Sequence, residues 1–370
     1  MARGMRYGAL ALVLALAVVV GCAAGKDHRR ADAGGDDTGD DTGEPPIPPV
    51  DRDPPSDDEN RYHWDGVADP YFEGWYYKVN DAASGLAFFF IYSVIFPGNP
   101  ATGEGSVYVG GGPDGLTTYV PFPASDFHAS RDHCEVYVAS VRNAATEARI
   151  QGDAAADGHA WRWDLSIAPE VSWDQTMGWL TNQPGLDVNW HVAHLRARAT
   201  GFVEADGVRH DLADALLFAD HNWGPAFPAY WMWLQGADFA GRSDAIAVAG
   251  GVVAGPWGTM DAYQIGYWRD GVLHTFRTQD RAVITGTYSG LAWWIDAVQD
   301  QERVTIAGTT DPPGVLTLLV PTADGMRPGA GESLTGAISV SFWRDEGGTW
   351  TEVDNRVTGR AGVEAGGTWR

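Results

Sequence analysis

Aromatic residues gathered into short, turn-bounded runs constrain this chain more than any other feature. Of 43 Trp, Tyr and Phe residues in 370, all but Tyr7 lie after residue 60. Residues 75–79 (Trp-Tyr-Tyr-Lys-Val) end at Asn80-Asp81, and 86–96 follow as an apolar run fit for burial on both faces. Further runs come at 106–109, 117–120, 134–141, 161–167, 191–198, 230–234, 245–253, 264–268, 272–277, 303–307 and 315–320. Asp206-Gly207 and Asp270-Gly271 each stand between two such runs, where a two-residue hairpin turn needs residues that accept positive φ. No long stretch carries a helical period, while 47 Gly and 21 Pro supply turns. The chain is therefore expected to be all-β, and closed antiparallel barrels are the arrangement that leaves no free edges.

The N-terminus reads differently. Arg3 and Arg6 precede an uncharged stretch from Tyr7 to Gly21, the pattern of a secretory signal. The apolar run is short for a bilayer span. Val19-Val20-Gly21-Cys22-Ala23 resembles a bacterial lipobox, so residues 1–22 are expected to be a lipoprotein signal peptide with Cys22 as the lipidated residue. Cys134 would then have no disulfide partner within the chain. Residues 23–60 hold 12 acidic and 4 basic side chains, Asp-Asp-Thr-Gly repeats and Pro-rich pieces, which makes them an acidic tether unable to bury apolar surface. The expected setting is the cell envelope of a bacterium, periplasm or cell surface, with the membrane reached through lipidated Cys22.

Charge and missing motifs narrow the function. A net charge of −24 opposes nucleic-acid binding, which depends on Lys and Arg displacing counterions from phosphate. Gly286-Thr287-Tyr288-Ser289-Gly290 misses the spacing of a nucleophile elbow, and Gly110-Gly111-Gly112 lacks the Lys-Ser/Thr of a phosphate loop. His191 and His194, three apart on a strand, are expected on opposite faces and unable to share a metal. The expectation is chemistry without cofactor or metal, acid–base in kind.

Two similar passages divide the rest of the chain. Phe72-Glu73-Gly74-Trp75-Tyr76-Tyr77 opens residues 61–211, and Asn222-Trp223-Gly224-Pro225 with Tyr230-Trp231-Met232-Trp233 opens residues 212–370. Two side-by-side barrels follow from that division. Strand alternation puts Trp231, Trp233 and Gln235 on one face, and Trp75 and Tyr77 on one face opposite Tyr76. Facing into a barrel, these rings would line an apolar cavity for a hydrophobic small molecule, with Trp223 beside them.

Arg61-Tyr62-His63-Trp64-Asp65-Gly66 followed by Tyr71-Phe72-Glu73-Gly74-Trp75-Tyr76-Tyr77-Lys78-Val79 resembles the opening of the tocopherol cyclase family, within the wider carotenoid-hydratase and lipocalin-like pericyclase group. Asp220-His221-Asn222-Trp223-Gly224-Pro225-Ala226-Phe227-Pro228, with Trp231-Met232-Trp233-Leu234-Gln235, is similar to that family's Trp-Gly-x-x-Phe-Pro-x-x-Trp-x-Trp-x-Gln segment. Here His221 stands where plant-type cyclases carry Lys. The resemblance implies two lipocalin-like antiparallel β-barrels and the protonation of an isoprenoid alkene, with the cation captured by a phenol oxygen or by water.

Such chemistry needs an acid that keeps its proton at neutral pH, which burial provides, and aromatic faces to stabilise a cation. The candidates for acid or orienting group are Asp220, His221, Glu73, His191, Asp65, and Asp261 with Tyr263 two residues on. A carrier that binds the same lipophile unchanged is the alternative. A Trp-rich carbohydrate-binding domain is a third reading, which requires several exposed Trp on one flat face.

Overall fold

The computed structural model describes residues 59–289, 292–310 and 314–367. The expected signal peptide, Cys22 and the tether up to residue 58 lie outside the described residues. No described helix is long and apolar enough to cross a membrane.

The first sheet begins with β1 (Phe72–Asn80), β2 (Ala87–Ile95), β3 (Glu104–Gly111) and β4 (Leu116–Pro123). It continues with β5 (Phe127–Ala129), β6 (Glu135–Val138), β7 (Ser140–Thr146), β8 (Arg149–Ala156), β9 (His159–Trp173), β10 (Asn189–Ala205) and β11 (Val208–Gly224). The second sheet contains β12 (Tyr230–Gly236), β13 (Ala245–Gly255), β14 (Gly258–Arg269), β15 (Val272–Arg277), β16 (Val283–Ser289) and β17 (Ala292–Gln299). It ends with β18 (Glu302–Thr309), β19 (Val315–Thr322), β20 (Gly325–Asp345) and β21 (Trp350–Gly367).

Both sheets are antiparallel, and in each the last strand returns to the first: β11 pairs with β1, and β21 pairs with β12, while β18 and β19 both pair with the long β20. In the first, β4 curls onto β8 and β9. Asp206 and Gly207 turn with φ of 48° and 80°, and Asp270 and Gly271 with 48° and 83°, as the two expected hairpins require. The first sheet runs on to Gly224, past the division expected at residue 212. Leu212 and Ala215 pair with β10, and residues 216–219 lie between β1 and β10, so this stretch completes the first sheet and does not open the second.

Each sheet wraps a filled core. In the first, Trp75, Tyr77 and Val79 of β1 pack with Phe88, Phe90 and Tyr92 of β2 and Trp161, Trp163 and Leu165 of β9. Gly152 makes room there, because a Cβ on it would lie 1.9 Å from the Trp163 ring. In the second, Met232 and Leu234 of β12 pack with Ile246, Val248, Ile265, Tyr267 and Trp293. Burying one such side chain contributes about 2 kcal/mol, so neither interior gains by staying hollow.

Candidate active site between the two sheets

The filled interiors move the cavity elsewhere. Side chains on a strand alternate between faces, so if Trp75 and Tyr77 enter the first core, Tyr76 must leave it. The outer faces of the two sheets meet through an apolar layer that joins Trp190, Val192, Leu195 and Phe218 of the first to Trp233, Ala245 and Ala247 of the second. A cavity of about 200 Å³ opens within that layer. Tyr76, Asp220 and Trp190 border it from the first sheet, and Trp231, Trp233, Gln264 and Glu364 from the second. Leu318 and Val320 of β19, with Met326, close one side of it.

Two glycines explain how the indoles fit. Trp231 stands opposite Gly366, and a Cβ there would lie 2.0 Å from its ring. A Cβ on Gly362 would lie 2.3 Å from the Trp233 ring. Both rings therefore lie across β21 where that strand has no side chain.

Three carboxyls meet at this layer. Asp220 is buried, and its Oδ2 accepts the indole N–H of Trp190 at 2.8 Å and of Trp233 at 3.0 Å. Those two bonds mark Oδ2 as the acceptor and leave Oδ1 to carry the proton. Burial pushes Asp220 up to about 7 against the pull of the indoles, with Glu364 adding to the rise. Burial likewise raises Glu364 to about 7, although Trp231 Nε1–H donates to its Oε1. Glu332 stands opposite Glu364 on β20, is fully buried, and accepts the Tyr76 hydroxyl. Burial and then Glu364 drive its carboxyl well above the usual range. Beneath it, burial brings the Lys78 ammonium down to about 7, opposed by Glu332. Lys78 Nζ donates to Asn80 Oδ1, to Gln235 Oε1 at 3.3 Å and to the Arg360 carbonyl at 3.4 Å.

The residues expected from sequence fall into separate places. Asp220, Trp231 and Trp233 come together on the cavity wall. Trp75 and Tyr77 do not, and this corrects the facing assigned to β1: Trp75 stacks on His221 at 4.3 Å, and the Tyr77 hydroxyl meets Cys134 Sγ at 3.8 Å inside the first core. Asp220 and His221 are consecutive on β11 and so occupy opposite sides of the sheet. Gln235 turns to Lys78. Trp223 stacks on His63 with ring centroids 3.9 Å apart and donates to Asn182 Oδ1, away from the cavity.

The cavity face of β14 belongs to Ala262 and Gln264. Asp261 is exposed and accepts the Tyr230 hydroxyl, while Tyr263 packs toward the second core. Asp65 accepts the N–H groups of Val67 and Ala68, both at 2.8 Å, and shapes a turn. His191 is buried with its Nδ1 3.0 Å from Glu59 Oε2. A bulge between His191 and His194 alters the alternation expected of them, and both are buried, His194 3.9 Å from Glu147. Glu73 and His221 meet inside the first barrel, with His221 Nε2 2.9 Å from Glu73 Oε1. Burial raises the Glu73 carboxyl, yet the hydrogen bonds and charges of His221 and His63 outweigh it and hold the group below the usual range. Glu73 is therefore an ionised acceptor and no proton donor at neutral pH.

Sequence reasoning missed Tyr76, Trp190, Glu332 and Glu364. The last two carried a usable signal: each is a lone acid among small and apolar neighbours, in Gly331-Glu332-Ser333-Leu334 and Val363-Glu364-Ala365-Gly366.

Comparison with known proteins agrees with this architecture. A protein described as a candidate AttH from Nitrosomonas europaea superposes with a TM-score of 0.50 at 14% identity, over 88% of this chain and 100% of that one. A probable chloroplastic tocopherol cyclase of Oryza sativa subsp. japonica is 25% identical over 83% of this chain and 77% of its own. The chloroplastic tocopherol cyclase of Zea mays matches at the same identity and coverage. The model of the tocopherol cyclase-like family matches residues 143–367, a span that takes in the second signature, both cavity carboxyls and all of the second sheet. The chain belongs to the tocopherol cyclase-like family.

Proposed function

We propose that this protein is an acid-catalysed cyclase or hydratase of a neutral isoprenoid alkene, with a prenylated quinol as the favoured substrate. One observation carries the reading: Asp220 and Glu364, both brought to about 7, border the same aromatic cavity. Carboxyls poised near neutrality supply an acid and a base at once. Asp220 Oδ1–H protonates the less substituted alkene carbon, and the tertiary cation lies among the faces of Trp231, Trp233 and Tyr76. The phenol oxygen adds to the cation and closes a ring, its proton passing to Glu364. Water in place of the phenol gives the hydrate. The ring closure is an isomerisation, so no oxidant or reductant is consumed.

Among the described residues the cavity border has no Lys, Arg or His, which suits a substrate without phosphate or carboxylate. The lipobox reading of Cys22 adds an envelope location to the proposal, with the catalytic domain reaching its lipophilic substrate near a membrane.

Purified protein incubated with prenylated quinols and acyclic polyenes, followed by liquid chromatography and mass spectrometry, tests the reading. An isomer or hydrate that is absent with Asp220→Asn supports it. Folded protein that binds these compounds and returns them unchanged, with the same affinity after that substitution, establishes a carrier instead.

A further inference from the structure

A second group of ionisable side chains lies on the other side of β11, and the chemistry proposed above makes no use of it. Glu73 of β1 and His221 of β11 are fully buried, and His63 reaches them from the segment ahead of β1. His221 Nε2 is 2.9 Å from Glu73 Oε1, and His63 Nδ1 is 3.2 Å from the same oxygen. One donor atom from each residue lies within 4.8 Å of the other two.

The Glu59 carbonyl, which only accepts, is 3.0 Å from His221 Nδ1, so that nitrogen carries a ring proton. Tyr71 O–H donates to Glu73 Oε2 at 2.6 Å, and the backbone N–H of His63 lies 2.9 Å and 3.0 Å from the two carboxylate oxygens, which favours the ionised form. A nitrogen of each imidazole and an oxygen of the carboxylate thus meet in one buried group. On its outer edge, His63 Nε2 is buried without a partner.

We infer that His63, Glu73 and His221 bind one divalent ion of the zinc class. Two imidazoles and a carboxylate are a donor set that zinc accepts, and bonds of about 2 Å in a tetrahedral arrangement put ligand atoms about 3.3 Å apart. The 2.9 and 3.2 Å separations from Glu73 Oε1 are close to that spacing. Two of the three ligands also have their outer partners in place. A ligating imidazole normally donates its other N–H to a carbonyl or carboxylate, as His221 Nδ1 does to Glu59, and a ligating carboxylate is itself hydrogen-bonded, as Glu73 is by Tyr71. The ion fastens the segment from Glu59 to Trp64 to the mouth of the first barrel, because His63 comes from that segment and the other two ligands from β1 and β11.

The test uses the full chain purified without a histidine tag. Elemental analysis is expected to find about one zinc per chain, or chelator-treated protein to regain about one on titration. The unfolding midpoint should rise steadily with free zinc, since a ligand of the native state stabilises by mass action. His63→Phe keeps a flat ring against Trp223 and removes a ligand, so both effects should disappear. Cobalt added to the chelated wild type should give the intense visible bands of a tetrahedral nitrogen–oxygen site, and this decides the matter if the variant fails to fold. Folded wild type that holds no metal, shows no midpoint shift and leaves the cobalt spectrum that of the aqueous ion overturns the inference. So does His63→Phe protein that binds zinc as tightly as wild type.

Discussion

Asp220→Asn should abolish turnover and yet make the protein more stable above neutral pH. Asn reproduces the protonated acid: its carbonyl oxygen can accept both indole N–H groups, and its amide takes the place of the Oδ1–H. Burial lifts the wild-type carboxyl from 3.8 to about 7. Ionising it in the folded protein therefore costs about 4 kcal/mol relative to the unfolded chain. In the window from 3.8 to about 7, the native state holds a proton that the unfolded state has released. The stability linked to that proton is fully present below the unfolded value and lost as pH rises through the folded one. Wild type should thus lose about 3 kcal/mol between pH 5 and pH 8 through this group alone, while Asn has nothing to titrate. Urea unfolding followed by Trp fluorescence at several pH values measures the difference between the two proteins directly. A gap that widens toward alkaline pH in favour of Asn, together with an inactive variant, is the expected result. A gap independent of pH, or a variant weaker than wild type at pH 8, would refute the assignment of Asp220 as a buried, proton-holding acid.

The pH dependence of kcat/KM should be bell-shaped around neutrality, falling on the alkaline side as Asp220 ionises and on the acid side as Glu364 is protonated. Glu364→Gln should remove the acid limb, and a rate profile unchanged by it would exclude Glu364 as the base. Gly366→Ala should cut activity at least tenfold while costing about 1–3 kcal/mol, because the new methyl displaces the Trp231 ring from its place across β21. Steady-state rates and a denaturation midpoint measure the two effects separately. Lys78→Met should cost about 3 kcal/mol, since it leaves the acceptors on Asn80, Gln235 and Arg360 without their donor. An unaltered guanidinium midpoint would show that Lys78 is idle.

The strand runs and the two Asp-Gly turns were plain in the sequence because period-two burial and positive φ are local demands. The location of the cavity was not. Alternation correctly grouped Trp75 with Tyr77 and Trp231 with Trp233, but it says nothing about which face turns inward. The first pair fills a core, and the second leaves one. Two lone acids more than thirty residues apart could not be paired until β20 and β21 were laid side by side, which brings Glu332 opposite Glu364. The group around Glu73 was hidden for the same reason: positions 63, 73 and 221 share no motif spacing and meet only when β11 returns to β1. What the family resemblance implied about fold holds, while the ionisable residues it drew attention to divide between two chambers.

The cavity borrows one half of its border from each sheet, and this has a mechanical consequence. Among the described residues the strand ladders run within one sheet or the other, so the layer that holds Asp220 opposite Glu364 is joined mainly by side chains, with one backbone bond from Asp187 N–H in the β9–β10 connection to the Ala254 carbonyl of β13. The sheets can part like two leaves of a book with every strand pairing intact. Admission of a bulky greasy guest then requires that apolar surfaces separate and rejoin, together with the few hydrogen bonds that cross them, such as Trp233 to Asp220 and Tyr76 to Glu332, and the guest itself replaces much of the surface uncovered. A ligand chamber inside a single barrel has no such freedom, because widening it means unzipping strands.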